Sequence, residues 1–391
     1  MVPNRMRNIA FLSTYPPREC GIATFTQDLV MELGRVSLLN KPKVVAVSNN
    51  DYNYDDNVII GLWQHDREDY FKTALDINKT NIELLVMEHE YGIFGGEAGE
   101  FVLDFVENLR IPLITTLHTV LSSPSAKQEQ VLRTLGEKSA KVVTMAQNTK
   151  PLLEAVYGIE PSKIEVIHHG VPYRNPESRD RLKEKQGLNG RSVISTFGLL
   201  SPGKGLEYAI EAIAQIAKEH KDIVYLILGQ THPCVKKEAG EEYRKKLMEM
   251  VEKLGINEHV RFVDKYLSKD EIIRYLQMSD IYMTPYLNKD QAVSGTLAYA
   301  IGYGRIVIST PYSYAREMLA DGRGLLAEFC DANSLAKNIK YILENPEAKK
   351  EMERRTLSAG RTMMWRHVAK QYTKLFIGTM EELRISGSMV V

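Results

Sequence analysis

The stretch SVISTFGLLSPGKGLEYAIEAIAQIAKEHKDIVYLILG, residues 192–229, reads as a strand, a glycine turn, a helix and a second strand. A helix between two short apolar strands carries the chain back to the same sheet edge, so the strands pair in parallel and helices cover both faces. Downstream the alternation continues through the helix EEYRKKLMEMVEKLG and the strand VRFVDK to the helix SKDEIIRYLQMS. The strand IYMTPY, the helix SGTLAYAIGYG and the strand RIVIST follow, then the helix SYAREMLADG and a helical DANSLAKNIKYILENPEAKKEMERRTL. Upstream an equivalent series runs from NIAFLST to IEVIHHGV, with KVVAVS, IELLVMEH, IPLITTLHT and KVVTMA as strands. Its first helix, GIATFTQDLVMELGRV, places Phe25, Leu29 and Leu33 at helical spacing. Between the two series HHGVPYRNPESRDRLKEKQGLNG is polar and rich in Pro, Asn and Gly, as interdomain linkers are.

A chain of 391 residues exceeds one ordinary core and suits two. The expected domains are 1–175, joined by 366–391, and 190–365. Apolar residues at 44% and charged ones at 26% describe a globular enzyme and exclude disorder. Fifty basic residues balance fifty acidic ones, so no global field favours nucleic acid or anionic lipid. Three scattered cysteines, Cys20, Cys234 and Cys330, argue for a reducing compartment and against a disulfide scaffold or a zinc site. No signal peptide or membrane span is legible, so a cytoplasmic location is expected, with peripheral membrane contact open.

In open sheets of this kind ligands lie beyond the carboxyl ends of the strands, so a cleft between the two halves is expected to receive residues from both. After the strand ending at Gly198, Lys204 stands where a helix begins. Free N–H groups, the macrodipole and one cation there suit a phosphate oxygen, although a surface lysine beside a turn glycine accounts for Lys204 alone. Ser294 can cap the next such helix, whose first turn holds Gly295 and Thr296; a plain capped helix is the alternative. Two helix mouths at strand ends in one half favour an anion site. In the first half Gly21 opens a helix directly after the first strand. The absence of G-x-G-x-x-G argues against a dehydrogenase. His118 and His89 end successive strands, and a structural role for either stays open. His168 and His169, in IHHGVP, read as a hinge element. Gln230, Thr231 and His232 end the strand DIVYLILG and either assist a phosphate or sugar or cap their loop. No D-x-D cluster ends a strand to hold a divalent ion, and DYNYDD at 51–56 reads as a solvated loop.

Together the glycine-bearing first loop, VIHHGVP, the G-x-x-x-x-x-K-G run at 198–205, DIYMTPY, AYAIGYGRIVIST and the closing MMWRHVAKQYTKLF resemble family 4 of the retaining GT-B glycosyltransferases, over almost the whole chain. The opening STYPPRECGIATFTQDL, with HEYGIFGG, resembles a bacterial subgroup of it. The resemblance implies an α/β GT-B fold, two facing Rossmann-like doubly wound domains with a C-terminal helix crossing back to the first. It implies transfer of a sugar from a UDP- or GDP-sugar to a saccharide or glycolipid hydroxyl with retention, no cofactor and no metal. Lys204 would contact the diphosphate, with Gly21 near it from the other domain, and His118 would reach the donor sugar. Gly198, Ser201, Ser294, Gly295, Thr296, Tyr299, Thr231 and His232 complete the implied donor set, Gln291 joins Lys204 and His118 as a catalytic candidate, and His89, Glu90 and Tyr91 are acceptor-side candidates.

Three positions depart from the family pattern. Leu199 stands where an Arg is usual, and Gln291 and Tyr299 stand where the family has paired glutamates separated by seven residues. Gln291 can still hydrogen-bond sugar hydroxyls, whereas Tyr299 cannot accept from both ribose hydroxyls as a carboxylate does. Two other readings therefore stay in view, a non-catalytic nucleotide-sugar binding protein and a same-fold nucleotide-sugar epimerase, for which Glu90 and Asp290 are the available acid and base.

Overall fold

A computed structural model describes residues 6–36 and 38–386. The chain divides into two compact units, Met1–Pro172 with Met364–Val391, and Tyr173–Met363. The first is built on β1 (Ile9–Ser13), β2 (Lys43–Ser48), β3 (Val58–Trp63), β4 (Leu84–His89), β5 (Leu113–Leu117), β6 (Lys141–Thr144) and β7 (Ile164–Val166). These form a parallel sheet in the order β3-β2-β1-β4-β5-β6-β7. The second holds β8 (Ser192–Phe197), β9 (Ile223–Leu228), β10 (Val260–Val263), β11 (Ile281–Thr284), β12 (Ile306–Ser309) and β13 (Gly324–Leu326). Their order is β10-β9-β8-β11-β12-β13, again all parallel.

Every residue of β1, β4 and β9 is buried, because helices cover both faces; that is why these strands are continuous apolar runs. The strand order reverses between β1 and β4 in one sheet and between β8 and β11 in the other. At such a switch point the connections leave on opposite faces and open a crevice beyond the carboxyl ends. The loops after β1, β4, β8 and β11 are those in which Gly21, His89, Lys204 and Ser294 were read.

Three elements lie where the sequence shows no apolar period. β3 is an edge strand whose exposed positions are Ile59, Gly61 and Trp63, so no polar residue marks its outer face in the sequence. The helix Pro233–Ala239 buries no residue. The stretch read as a linker contains the helix Arg179–Lys185, charged at six of its seven positions and part of the second unit. Burial of Leu182 and of Lys183, whose Nζ lies 2.6 Å from Asp280 Oδ2, fixes it there.

The last helix, Trp365–Ile385, belongs to the first unit, as the resemblance implied. Its buried face, Trp365, Val368, Ala369, Tyr372 and Phe376, has the three-to-four residue spacing of a single helical stripe. Phe376 meets Phe11 of β1 at 6.4 Å between ring centroids, and Trp365 meets Phe25 edge-on at 5.0 Å. The chain re-enters this unit beside Val171, whose carbonyl accepts from the Trp365 N–H at 3.0 Å. Gly170 makes that approach possible, since a Cβ there would stand 2.1 Å from the Trp365 ring. Gly170→Ala is expected to cost about 1–3 kcal/mol, because the ring is buried and has no room to yield. A melting temperature equal to that of the wild type would show that the ring is not seated on Gly170.

Candidate active site

In the second unit the chain leaves β8 at Gly198, with φ of 134°, and leaves β9 at Gly229, with φ of 139°. A Cβ on Gly229 would lie 2.1 Å from the Gly198 carbonyl oxygen, so the two turns touch through bare backbone. The loop 199–205 is then held from both sides. The Leu200 N–H donates to Gln230 O and the Leu200 carbonyl accepts from the His232 N–H, each at 2.9 Å, while Leu287 N–H donates to Gly203 O at 3.0 Å. Lys204 ends the short 3-10 helix Pro202–Lys204, before which Ser201 sits half-buried. Its ammonium lies 3.8 Å from the centroid of the Tyr286 ring. Tyr286 is itself fixed, stacked on Tyr312 at 5.5 Å and bonded through its hydroxyl to Thr296 Oγ1 at 3.0 Å. Among the described residues Lys204 joins no ion pair. An aromatic face orients the ammonium without neutralising it, which leaves its full charge for an anion.

After β11 the helix Gly295–Gly302 begins, and Ser294 Oγ caps it by accepting from the Leu297 N–H at 3.3 Å. A Cβ built on Gly198 would be 3.8 Å from Thr296 Cγ2, so this helix mouth adjoins the β8 turn. Gly198, Lys204, Ser294, Gly295 and Thr296 are thus brought together at the switch point, with Tyr286, which the sequence did not single out.

Other expected donor residues are turned elsewhere. Thr231 is buried and donates its hydroxyl to Glu241 Oε2 at 2.5 Å, and His232 Nδ1 accepts from the Cys234 N–H at 3.2 Å. Both are occupied in fastening the helix Pro233–Ala239, the loop-capping alternative. Gln291 donates its amide to Val293 O at 3.0 Å, within its own loop. Tyr299 is buried with its ring 6.5 Å from that of Phe197 and serves as a wall under the helix mouth. Arg244 went unread in a charged helical run, yet it is buried, donates to Gly229 O at 2.9 Å and pairs with Asp264 at 2.7 Å. It braces the turn on which the Gly198 loop rests.

In the first unit Gly21 starts the helix Gly21–Leu33 with no side-chain cap from Cys20 and nothing within 4 Å of a Cβ built on it. His118, just past β5, turns Nε2 to Glu88 Oε2 at 2.8 Å and meets Phe25 edge-on at 4.8 Å. Phe25 also meets His169 at 5.1 Å, so His169 is part of this packed cluster and no hinge. Burial holds the His169 pKa down at about 4.

His89 is corrected from an acceptor-side candidate to a core residue. It has no exposed surface, lies between Tyr91 and Phe94, and neither ring nitrogen has a partner among the described residues. Burial, with a smaller contribution from His118, lowers its pKa to about 3. Tyr91 is buried too and donates its hydroxyl to Gln128 O at 3.3 Å; Glu90 is half-buried and accepts from Thr119 Oγ1. Glu88 was missed, although a carboxylate inside the apolar run LLVMEH was a legible signal of a partnered group.

Among the described residues the one group of His, Cys, Asp and Glu with metal-binding spacing is Glu219, His220 and Glu344. It precedes β9, at the sheet edge opposite these loops, and Lys340 already bridges its two carboxylates. No helix among the described residues is long and apolar enough to cross a membrane.

Two family models match the chain: glycosyl transferases group 1 over residues 178–358, and glycosyltransferase family 4 over residues 78–174. This chain belongs to the family 4 glycosyltransferases. The Lys204 loop and the Ser294 helix lie inside the first span, and Glu88, His118 and His169 inside the second. A D-inositol 3-phosphate glycosyltransferase of Nocardioides is 22% identical over 76% of this chain and 68% of its own length. A GDP-mannose-dependent alpha-(1-6)-phosphatidylinositol monomannoside mannosyltransferase of Mycolicibacterium smegmatis is 24% identical over 85% of this chain and 88% of its own. The sucrose-phosphate synthase of Thermosynechococcus elongatus superimposes with a TM-score of 0.77 over 96% of this chain and 100% of that one, at 16% identity. That likeness establishes the GT-B fold of this glycosyltransferase.

Proposed function

We propose that this family 4 glycosyltransferase moves a hexose from a nucleoside diphosphate sugar to an acceptor hydroxyl, with retention of anomeric configuration and without a metal ion. The observation that carries the reading is the Lys204 ammonium held over Tyr286, beside the mouth of Gly295–Gly302 and at the switch point of the second sheet. Such an array meets negative charge as it develops on a departing diphosphate. The bond from the anomeric carbon to the phosphate oxygen breaks and the acceptor oxygen bonds on the same face. The acceptor's proton passes to a phosphate oxygen of the leaving group, so no protein carboxylate is needed as base. His118 serves the donor sugar, and the acceptor is a saccharide or glycolipid hydroxyl. Among the relatives one names GDP-mannose as donor and another acts on D-inositol 3-phosphate, which supports a GDP-sugar donor and an inositol acceptor as the first to try.

Incubation with UDP-glucose and GDP-mannose, with saccharide and inositol acceptors and with EDTA throughout, tests the reading. The expected result is a glycoside whose anomeric configuration, read by NMR, matches the donor's, formed at a rate that EDTA leaves unchanged. An inverted product, or activity that EDTA abolishes and Mg²⁺ restores, would overturn it. One observation favours a second reading, a nucleotide-sugar binding protein: Gln291 bonds within its own loop and Tyr299 is packed as a wall, so neither side chain replaces a glutamate. That reading yields binding without release of nucleotide.

A further inference from the structure

The pair formed by Glu88 and His118 has a feature that the role given to His118 does not use. Glu88 is wholly buried, and while Oε2 meets His118 Nε2 at 2.8 Å, Oε1 is buried with no partner among the described residues. An ionised carboxylate there would leave one oxygen unsolvated, at a cost of several kcal/mol. Burial accordingly pushes the Glu88 carboxyl up from its ordinary range, against the opposing hydrogen bond from His118. Among the described residues no cation other than His118 itself is positioned to offset a negative charge on Glu88. His89 follows Glu88 in β4 on the opposite face of the strand, His169 approaches from the segment after β7, and burial keeps both neutral at ordinary pH, with values of about 3 and about 4. From the last helix comes the phenol of Tyr372, 3.4 Å from Thr116 Oγ1, and from the first helix the apolar ring of Phe25.

The pair is therefore most stable with one proton shared between the Glu88 carboxyl and His118 Nε2, net charge zero. Wherever that proton sits, the other ring nitrogen bears hydrogen: a neutral imidazole accepting from the carboxyl is the Nδ1–H tautomer, and an imidazolium has both. Nδ1 has no partner among the described residues and, unlike the nitrogens of His89, is not sealed from solvent. We propose that Glu88 is a positioning residue that makes His118 Nδ1 a hydrogen-bond donor to a ligand oxygen. The identification of that oxygen as belonging to the donor sugar rests on the function proposed above; the protonation of Nδ1 does not.

Long-range proton–nitrogen NMR on the unliganded protein with ¹⁵N-histidine tests the proposal, with the His118 signals assigned by their loss in His118→Ala. The expected spectrum at neutral pH shows hydrogen on Nδ1, and that hydrogen is lost as the pH is raised and the pair gives up its shared proton. A bare Nδ1 with hydrogen on Nε2 alone at neutral pH would overturn the proposal. In transfer assays kcat/KM should fall about tenfold per pH unit along the limb where that proton leaves. Glu88→Gln, which cannot ionise, should remove the limb, and a variant profile superimposable on the wild type would also overturn the proposal. Hydrogen on Nδ1 together with full transfer by His118→Ala would uphold it and refute the donor-sugar role of His118.

Discussion

Lys204→Ala is expected to lower turnover by about 100-fold or more, the usual consequence of removing one preorganised donor from the place where charge develops in a transition state. Among the described residues the Lys204 ammonium is the cation seated at the β8 turn. It is held for the purpose, over Tyr286 at 3.8 Å, with Tyr286 anchored by Thr296 and Tyr312. Removing the side chain should hardly disturb folding, because Lys204 is half-buried and the loop is fastened by backbone bonds at Leu200, Gly203 and His232. Lys204→Met separates charge from packing, since it keeps an unbranched stem on the ring and discards the cation. Both variants should melt like the wild type, lose the stabilisation that UDP or GDP confers on the wild type, and turn over equally slowly. Turnover by Lys204→Met within a factor of two of wild type would refute the role.

Asp280→Ala is expected to destabilise the second unit by about 3–5 kcal/mol, without touching the chemistry. Asp280 directly precedes β11, so it lies at the amino ends of the strands, opposite the loops of the site. Its carboxylate, 6% exposed, accepts from Lys183 at 2.6 Å, Lys349 at 2.8 Å, Arg179 at 3.1 Å and the Val193 N–H at 2.8 Å. Truncation leaves Lys183 buried without its anion and Arg179 facing Arg305, whose pKa burial already lowers to about 10. Burial alone would raise the Asp280 pKa, yet Lys349 and Lys183 outweigh it and hold the group at about 2, below the ordinary 3.8. A folded-state value below the unfolded one means stability that is complete above roughly pH 4 and lost as the pH falls toward 2. The deficit of the variant in chemical denaturation should therefore be largest near neutrality and shrink below about pH 4. A deficit under about 0.5 kcal/mol at pH 7 would show that the cluster is not holding the unit together.

The elements read correctly share a physical cause: strands buried on both faces must be continuous apolar runs, and the helices between them carry one apolar stripe. β3 escaped because an edge strand exposes Ile59 and Trp63, and Arg179–Lys185 because its anchor is an ion pair to Asp280, about a hundred residues on. The clustering of Gly198, Lys204 and the Ser294 helix mouth in the second unit follows from residues read at successive strand ends, since parallel strands bring their carboxyl-end loops to one side of the sheet. Thr231 and His232 turn elsewhere because the helix Pro233–Ala239 and the Glu241 that follows it take up their polar groups locally, and His89 because alternate residues of one strand point to opposite faces.

What the sequence determined by itself is the architecture: local periodicity and turn chemistry dictate two doubly wound parallel sheets, with the reactive residue types gathered at the carboxyl ends of their strands. Which of those residues touch was decided by tertiary structure alone. The seating of Lys204 on Tyr286, the contact of Gly198 with Gly229 and the burial of Glu88 against His118 depend on strand order and on residues 82, 31 and 30 positions apart, and no local pattern encodes a distance in space.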